Sequence, residues 1–419
     1  MGAFGSTVPS AIAAPSPDDP AGSFPRTIPT YTSPDGGIIV PPGALDRWWQ
    51  WRATGGAERR ELIVYGDSTT FGAGGNYSWL QRLRDRAVEF GLPDGGKGIF
   101  AGQESELEYD PPEVNGLVGG TFGGGFPDTF DNLSGSYYYD TGVPSGHTLE
   151  LQFRSTAFRL WYSARGNSGD FTYSVDGGPT VTVHAFDDTQ TASRFVYVSG
   201  LAPDVTHTIE IVNSGGEDVY VALAPVNETG LAIQKHAVSG NTFNNVFFGA
   251  LGLTAPYTQA IDGMRYQSAL GLNHVAVTSN DRYRGATVDT SYDDEARVRP
   301  IVAVTHLGFN DLTNAVEGDT QAWNEYVKRF AGACYDADCD GIVVSGQLPY
   351  NDNWETLGPD RFTALRDEAL TQGLTFVDLF TPIGGPSLDY AAGPTNPHLT
   401  KPQYQDQADY AWYGLLGLA

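Results

Sequence analysis

The stretch Leu62-Ile63-Val64-Tyr65-Gly66-Asp67-Ser68-Thr69-Thr70-Phe71-Gly72 constrains this chain more than any other. Leu62 to Tyr65 read as a buried strand. The chain then breaks at Gly66 and offers a small polar residue, Ser68, at the strand's carboxyl edge. Gly72, Gly74 and Gly75 keep the next loop open. Trp79, Leu80, Leu83, Ala87 and Phe90 then fall on one helical face, and Gly91 suits the helix's C-terminal cap. Strand, exposed serine and helix together present a nucleophile on an α/β sheet. The alternatives are a phosphate loop or a plain turn. No Gly-Lys-Ser/Thr follows, which weakens the phosphate reading.

Strands alternating with helices return late in the chain. Leu231-Ala232-Ile233, Val275-Ala276-Val277, Ile301 to Thr305, Ile342 to Ser345 and Phe376-Val377-Asp378-Leu379 are strand candidates. Trp323, Tyr326, Val327 and Phe330 share a helical face. Pro359 is expected to open a helix carrying Phe362, Leu365, Ala369 and Leu370, capped by Gly373. A last helix is expected to carry Tyr404, Ala408, Trp412 and Leu415. This pattern implies a parallel sheet with helices on both faces.

Between about 126 and 229 the period changes from helical to two. Leu149, Leu151 and Phe153 alternate with Glu150, Gln152 and Arg154, and Phe158, Leu160 and Tyr162 do the same. Phe171, Tyr173 and Val175 lead into Asp176-Gly177-Gly178, a hairpin signal. About eight short strands of this kind read as a β-sandwich. The stretch from about 93 to 125, with Gly95-Gly96, reads as loop. Residues 1–45 are rich in Pro, Ser, Gly and Thr and cannot bury a core of their own, so they read as an extended arm or linker. In Asp46-Arg47-Trp48-Trp49-Gln50-Trp51-Arg52, the apolar area of three tryptophans favours a short helix docked on the main domain. An aromatic contact to a sugar or a neighbouring subunit is the alternative.

Three later stretches complete a pattern with Gly66-Asp67-Ser68. They are Val238-Ser239-Gly240-Asn241-Thr242, His306-Leu307-Gly308-Phe309-Asn310-Asp311 and Asn396-Pro397-His398-Leu399-Thr400. Together the four resemble the sequence blocks of the SGNH (GDSL-type) hydrolases, in the family's order. The matching positions are Ser68, Gly240, Asn310 and His398. The resemblance covers about residues 58–100 and 230–419. It implies a three-layer α/β/α, flavodoxin-like domain. Val175-Asp176-Gly177-Gly178 and His207-Thr208-Ile209-Glu210 further resemble the small jelly-roll lobes attached to some SGNH carbohydrate esterases. The expected organisation is an arm and docking segment over 1–56, the hydrolase domain over 57–105 and 230–419, and the inserted β-sandwich over 106–229.

The resemblance assigns roles. Ser68 is the nucleophile, and His398 is the base that a serine hydroxyl needs near neutral pH. The Ser68 and Gly240 backbone N–H groups and the Asn310 side-chain amide form the oxyanion hole, and such donors supply about 3–4 kcal/mol each. Taken singly, Asn310 reads as a turn-forming residue and His398 as a surface histidine; the joint pattern favours a site. One position departs from the family. Three residues before the histidine, where the family carries an Asp that orients the imidazole, stands Thr395. Its hydroxyl can accept the ring N–H bond but brings no charge to stabilise the imidazolium. A backbone carbonyl could replace it, and Asp389 is a carboxylate of the same region. No cofactor or metal is called for.

Charge and composition narrow the partners. The net charge of −26, from 50 acidic against 24 basic residues, argues against nucleic acid and against anionic membrane surfaces. No apolar run is long enough to span a bilayer. Met1-Gly2-Ala3-Phe4-Gly5-Ser6 lacks a basic n-region and an apolar core, so no secretory signal is expected. Cys334 and Cys339 lie close together, and a disulfide between them would suit a protein working outside the cell. The same stretch carries Asp336, Asp338 and Asp340 in an Asp-x-Asp-x-Asp-Gly run, the first half of a calcium loop. With Gln347 at the twelfth position, a plain acidic loop is the stronger reading.

Two functions follow. One is an esterase that removes acyl groups from a polysaccharide, a cell-envelope polymer or a glycolipid. The other is an idle SGNH-fold module of a larger assembly, which Thr395 and the Pro-rich arm favour. The combination of arm, hydrolase and β lobe also looks like virion-associated tail proteins of bacteriophages. That setting makes other tail proteins, or further copies of this chain, the expected partners. Without it the protein would be cytoplasmic or exported by another route.

Overall fold

The computed structural model describes residues 31–32, 37–71, 79–89, 91–96, 141–143, 145–164, 169–186, 192–216, 219–237, 243, 300–313, 320–336, 338–345, 352–379, 402, 404–405 and 407–409. The chain opens with β1 (Tyr31–Thr32), β2 (Ile38–Val40), α1 (Asp46–Arg52), β3 (Arg60–Gly66), α2 (Ser68–Phe71) and α3 (Trp79–Glu89). Eight strands follow: β4 (Thr141–Val143), β5 (Thr148–Phe153), β6 (Ala157–Ala164), β7 (Asp170–Val175), β8 (Val181–His184), β9 (Ala192–Val198), β10 (His207–Asn213) and β11 (Val219–Val226). Then come β12 (Leu231–Ala237), β13 (Pro300–His306), α4 (Phe309–Thr313), α5 (Thr320–Asp336), β14 (Asp340–Ser345), α6 (Asp352–Thr371) and β15 (Thr375–Asp378).

One seven-stranded sheet runs β1-β2-β15-β14-β13-β3-β12. Its strands from β15 to β12 are mutually parallel, and β2 and β1 extend it antiparallel at one edge. Taken in chain order, the parallel strands follow the 2-1-3-4-5 arrangement of flavodoxin-like sheets. Every residue of β13 and β14 is buried. That is why these strands read as unbroken apolar runs: helices cover both faces. Leu62, Val64, Val302, Val304, Ile342 and Val344 share one core with Trp48 and Trp51 of α1, Trp79, Leu80 and Leu83 of α3, and Tyr404 and Ala408. On the other face, Gly341 lies against Leu374 and Cys334, and α5 and α6 pack on β14 to close the third layer.

The tryptophan segment docks, as its apolar area requires. Trp48 and Trp51 are buried with rings 5.3 Å apart, and the Trp51 indole N–H donates to the Glu58 carbonyl at 2.9 Å. Trp49 is half-buried under the Arg52 guanidinium. The expected start of α6 is corrected: the helix begins at Asp352 and runs through Pro359. An interior proline removes one helical hydrogen bond. Pro359 is exposed, and packing of α6 on α5, with the Phe362 and Trp323 rings 6.4 Å apart, outweighs that loss. The Val275–Val277 strand candidate and the Trp412 and Leu415 positions lie outside the described residues.

The period-two region forms two four-stranded antiparallel sheets, β5-β10-β7-β8 and β4-β11-β6-β9. Their inward residues, among them Leu149, Leu151, Phe153, Phe158, Leu160, Phe171, Ile209 and Leu223, make a core of their own. Asp176 and Gly177 both adopt positive φ, +53° and +68°, and the Gly178 N–H closes on the Val175 carbonyl. This is the left-handed turn that matches strand twist in a hairpin.

The lobe docks on the amino-terminal edge of the parallel sheet. Arg159 of β6 donates to Glu61, at the start of β3, at 2.8 Å with both side chains fully buried. Arg59 approaches the same carboxylate at 3.6 Å. Asn227, between β11 and β12, accepts from Thr156 N–H and donates to the Asp94 carbonyl. Gly95 and Gly96, expected in a loop, run in this seam. A Cβ on either would overlap the backbone of Leu231 or Pro225, so only glycine permits the approach. Alanine and valine (Ala157, Val226, Ala232) fill the remaining contact.

Removing one partner of a buried ion pair strands the other charge, at a cost of about 3–5 kcal/mol. Arg159→Met and Glu61→Gln are each expected to lose stability of that order in chemical denaturation. The double variant should lose clearly less than the two losses added, because its second substitution removes a charge already stranded. Additive losses would mean that the pair does not hold the lobe.

Candidate functional site

In an open α/β sheet of this order, ligands bind beyond the carboxyl ends of the strands where the order reverses. Here that point lies between β3 and β13, whose ends are in register, His306 opposite Gly66. Ser68 opens α2 immediately after β3. Asn310 lies in α4 immediately after β13 and is buried. The topology therefore brings these two residues, far apart in sequence, to neighbouring exits at the switch point. Gly240, Thr395 and His398 lie outside the described residues.

The turn that carries Ser68 is held from within. Asp67 is buried, and its Oδ1 accepts from the Thr69 N–H at 2.9 Å and the Thr69 hydroxyl at 2.6 Å. Burial pushes the Asp67 carboxyl up to about 6, against the pull of those bonds. One position on, the Thr70 hydroxyl lies 2.8 Å from His306 Nδ1, with the Trp79 indole N–H 3.5 Å from the same oxygen. The hydroxyl thus accepts from the indole and shares a hydrogen bond with the ring nitrogen. Burial lowers the His306 pKa to about 3, so the ring is neutral at any ordinary pH. Trp79 also meets it edge-on at 5.7 Å. A Cβ on Gly66 would overlap the Thr70 side chain, so this contact requires glycine ahead of Asp67.

The Asn310 turn is held just as tightly. Gly308 adopts φ +111°, and a Cβ there would lie 3.2 Å from Trp323 and 3.3 Å from Phe243. Both oxygens of the buried Asp311 carboxylate face the Phe243 backbone N–H, at 3.0 and 3.1 Å. The Phe243 ring stacks on Tyr326 at 4.9 Å and meets Trp323 at 5.3 Å. Phe243, three positions after Gly240 in the chain, is thereby anchored on the Asn310 helix. A third tie involves the carboxyl-terminal segment. Asp409 accepts from Arg86 at 2.7 Å on each oxygen and from Arg82 at 3.0 Å. The arginines hold its carboxyl below the usual range. Asp409, which follows His398 in the chain, is thereby tied to α3, the helix that follows Ser68.

Sequence reasoning passed over Thr70, His306 and Asp311, although the last two stand in the quoted blocks. The available signal was their polarity at positions next to buried strand ends, where an unpartnered polar group is costly. In the acidic run, Asp338 accepts from Arg47 at 2.7 Å, and Asp340 accepts from the Trp48 N–H at 2.8 Å. These carboxylates serve the docking of α1. Cys334 and Cys339 are both buried thiols, and burial pushes the Cys334 thiol up.

No family model matches the chain, and no curated protein matches it. Among solved structures it is similar to a peptidoglycan O-acetylesterase. The identity is 14%, the match covers 89% of this chain and 95% of that one, and the TM-score is 0.55. Family two carbohydrate esterases also match. The one from Clostridium thermocellum, in complex with cellohexaose, does so at 18% identity over 66% of this chain and 95% of its own, with a TM-score of 0.32. The one from Cellvibrio japonicus does so at 12% identity over 67% and 90%, with a TM-score of 0.30. At such identities the likeness is one of architecture: the chain has the α/β fold of SGNH-type esterases, with its two antiparallel sheets as an added lobe.

Proposed function

We propose that the protein is a serine esterase that removes acyl groups, acetyl foremost, from a carbohydrate-containing or cell-envelope polymer. The observation that carries this reading is the emergence of Ser68 and Asn310 from adjacent strands at the switch point. The fold's likeness to a peptidoglycan O-acetylesterase supports the substrate class. In this reading His398 takes the Ser68 proton as the hydroxyl oxygen attacks the ester carbonyl. The oxyanion that develops is met by the Ser68 and Gly240 N–H groups and the Asn310 amide. Collapse expels the sugar hydroxyl, protonated by His398, and leaves an acyl-serine. Water, activated by the same imidazole, then releases the carboxylic acid. The ties at Thr70–His306, Asp311–Phe243 and Asp409–Arg86 suit such a site, because acyl transfer tolerates little misplacement of its donors. Thr395 favours a second reading, an idle scaffold with a poorly supported base.

Acetate release from acetylated peptidoglycan and acetylated xylan, alongside p-nitrophenyl acetate turnover, decides between them. Ser68→Ala should lose about 10⁴-fold or more in kcat, and Asn310→Ala about 10²–10³-fold. Wild-type release no faster than that of Ser68→Ala would establish the scaffold reading.

The pH dependence separates the two histidines. His306 ionises only near pH 3, so it cannot set an activity limb near neutrality. The rate should fall on acidification with a midpoint near the ordinary histidine value of about 6.5, and His398→Gln should abolish turnover. His306→Gln should keep that midpoint. Its effect belongs to stability: a histidine whose folded pKa is depressed contributes stability above its unfolded value, lost as pH falls from about 6.5 toward 3. A midpoint that moves with His306 would contradict the assignment of His398 as base.

Thr395 supplies the last test of this reading. Thr395→Asp adds the anionic partner that stabilises an imidazolium and should raise kcat. Thr395→Val removes the hydroxyl and should lower it. Two variants that both match wild type would give the orienting role to another group.

A further inference from the structure

We infer that Cys334 and Cys339 are an oxidisable pair whose disulfide staples the end of α5 to the start of β14. The inference stands on described geometry and does not depend on the esterase reading. A Schellman turn ends α5. The Cys339 N–H donates to the Cys334 carbonyl and the Asp338 N–H to the Tyr335 carbonyl, both at 3.1 Å. Asp338 takes the left-handed position of that turn, at φ +46°, where glycine is usual and Asp is among the residues that tolerate it. Its carboxylate is held by Arg47 at 2.7 Å. The two residues joined by the longer bond of such a turn lie side by side, and an apolar contact commonly fills the place. Here two cysteines fill it. Both are buried, and their thiols are in hydrogen-bond contact. Gly341 adds to the fit, since a Cβ there would meet the Cys334 sulfur at 3.0 Å and the Leu374 side chain at 2.6 Å. A disulfide needs side chains that converge. These already do, so closing the bond asks only that two touching sulfurs approach further while the turn holds both backbones.

The chemistry needs an oxidant from outside, and a small disulfide such as glutathione disulfide supplies it. One cysteine thiolate attacks a glutathione sulfur, a protein–glutathione disulfide forms and one glutathione thiolate leaves. The second cysteine then displaces the other glutathione. Two protein thiols are oxidised, and one disulfide is reduced to two glutathione thiols. Burial raises the Cys334 thiol, which keeps the pair unreactive while the turn is closed. The thiolate forms when the helix end opens. A ring closed from 334 to 339 stabilises the fold, by loop entropy, roughly 10- to 50-fold in the unfolding equilibrium. Asp340, next in the chain, seats α1 through the Trp48 N–H, so the staple fixes the platform on which the tryptophan helix docks. It sits at the amino end of β14, which runs parallel to β13 and β3, and so at the end of the sheet opposite the exits of Ser68 and Asn310.

The test uses the full chain, unfolded and then refolded either in a glutathione disulfide buffer or in excess dithiothreitol. The chain has only these two cysteines, so mass and alkylation assign the bond. The oxidised sample should lose the mass of two hydrogens, leave no thiol for iodoacetamide in denaturant, and run as one chain on a non-reducing gel. Its urea midpoint should lie above that of the reduced sample. Dithiothreitol should abolish the difference, and Cys334→Ala/Cys339→Ala should show none. Hydrogen exchange should slow where α5 ends and β14 begins, and stay the same in the turn that carries Ser68. Thiols that remain open to iodoacetamide after refolding in glutathione disulfide overturn the inference, as does pairing between chains. A disulfide that forms within the chain but leaves the midpoint unchanged, or lowers it, overturns the staple. Oxidised and reduced wild type carry the comparison by themselves should the double variant not fold.

Discussion

The parallel pairing of β3 with β13 is the constraint on which the rest of the structure depends. It sets Gly66 opposite His306 and thereby brings the exits of two strands, distant in sequence, to one place. The ladder runs unbroken from Val302 opposite Leu62 to His306 opposite Gly66, so the two exits are set side by side. The Thr70–His306 bond adds a second lock just beyond the last ladder pair. Its members are buried and uncharged, so it is neither screened by salt nor titrated near neutrality. A neutral histidine hydrogen-bonded to a hydroxyl is a rigid spacer, and at this point a spacer serves better than a base.

The position of the β lobe follows from the same topology. The lobe interrupts the connection between β3 and β12, which must return to the sheet's starting edge for β12 to run parallel to β3. Arg159, Asn227 and Ala157 accordingly meet the amino end of the sheet, at Glu61, Asp94 and Ala232. Strand β3 has seven residues, and at roughly 3.3 Å each it spans about 20 Å from that seam to the turn at Ser68. The seam of the lobe therefore belongs to the end of the sheet opposite Ser68 and Asn310. Any share the lobe takes in recognising a polymer is exercised away from its seam.

Much of this was legible in the sequence. Strand, Gly-Asp-Ser and amphipathic helix follow from local pattern, because burial on one or both faces leaves a periodic trace. The Asp176-Gly177 hairpin and the alternation of Leu149, Leu151 and Phe153 are equally local. The order of strands is not local, and nothing in Ile38-Ile39-Val40 says that it pairs antiparallel beside β15. Pro359 misled because its cost within a helix is set locally, whereas the helix is held by distant partners such as Trp323. At the candidate site, motif resemblance pointed to Ser68 and Asn310, and the strand order brings the two to neighbouring exits. Asp311 and His306 were present in the quoted blocks without roles, because a buried polar residue acquires its meaning only from what it faces.

Two buried carboxylates show how the fold accommodates polar groups at these junctions. Burial raises both Asp67 and Asp340 to about 6. For a carboxyl whose folded pKa lies above its unfolded value, the stability contribution is complete below about 4 and is lost as pH rises through about 6. Near neutrality both are therefore net costs, opposed in sign to His306, whose contribution is lost on acidification. Their compensation is local and directional. Asp67 binds the Thr69 N–H and hydroxyl and so fixes the backbone around Ser68. Asp340 binds the Trp48 N–H and thereby seats a helix whose two buried tryptophans close one face of the sheet. Apolar residues at these places would fill space but could not select one backbone course over another. The chain gives up stability at the two points where the direction of the backbone matters most, the turn carrying Ser68 and the docking of α1.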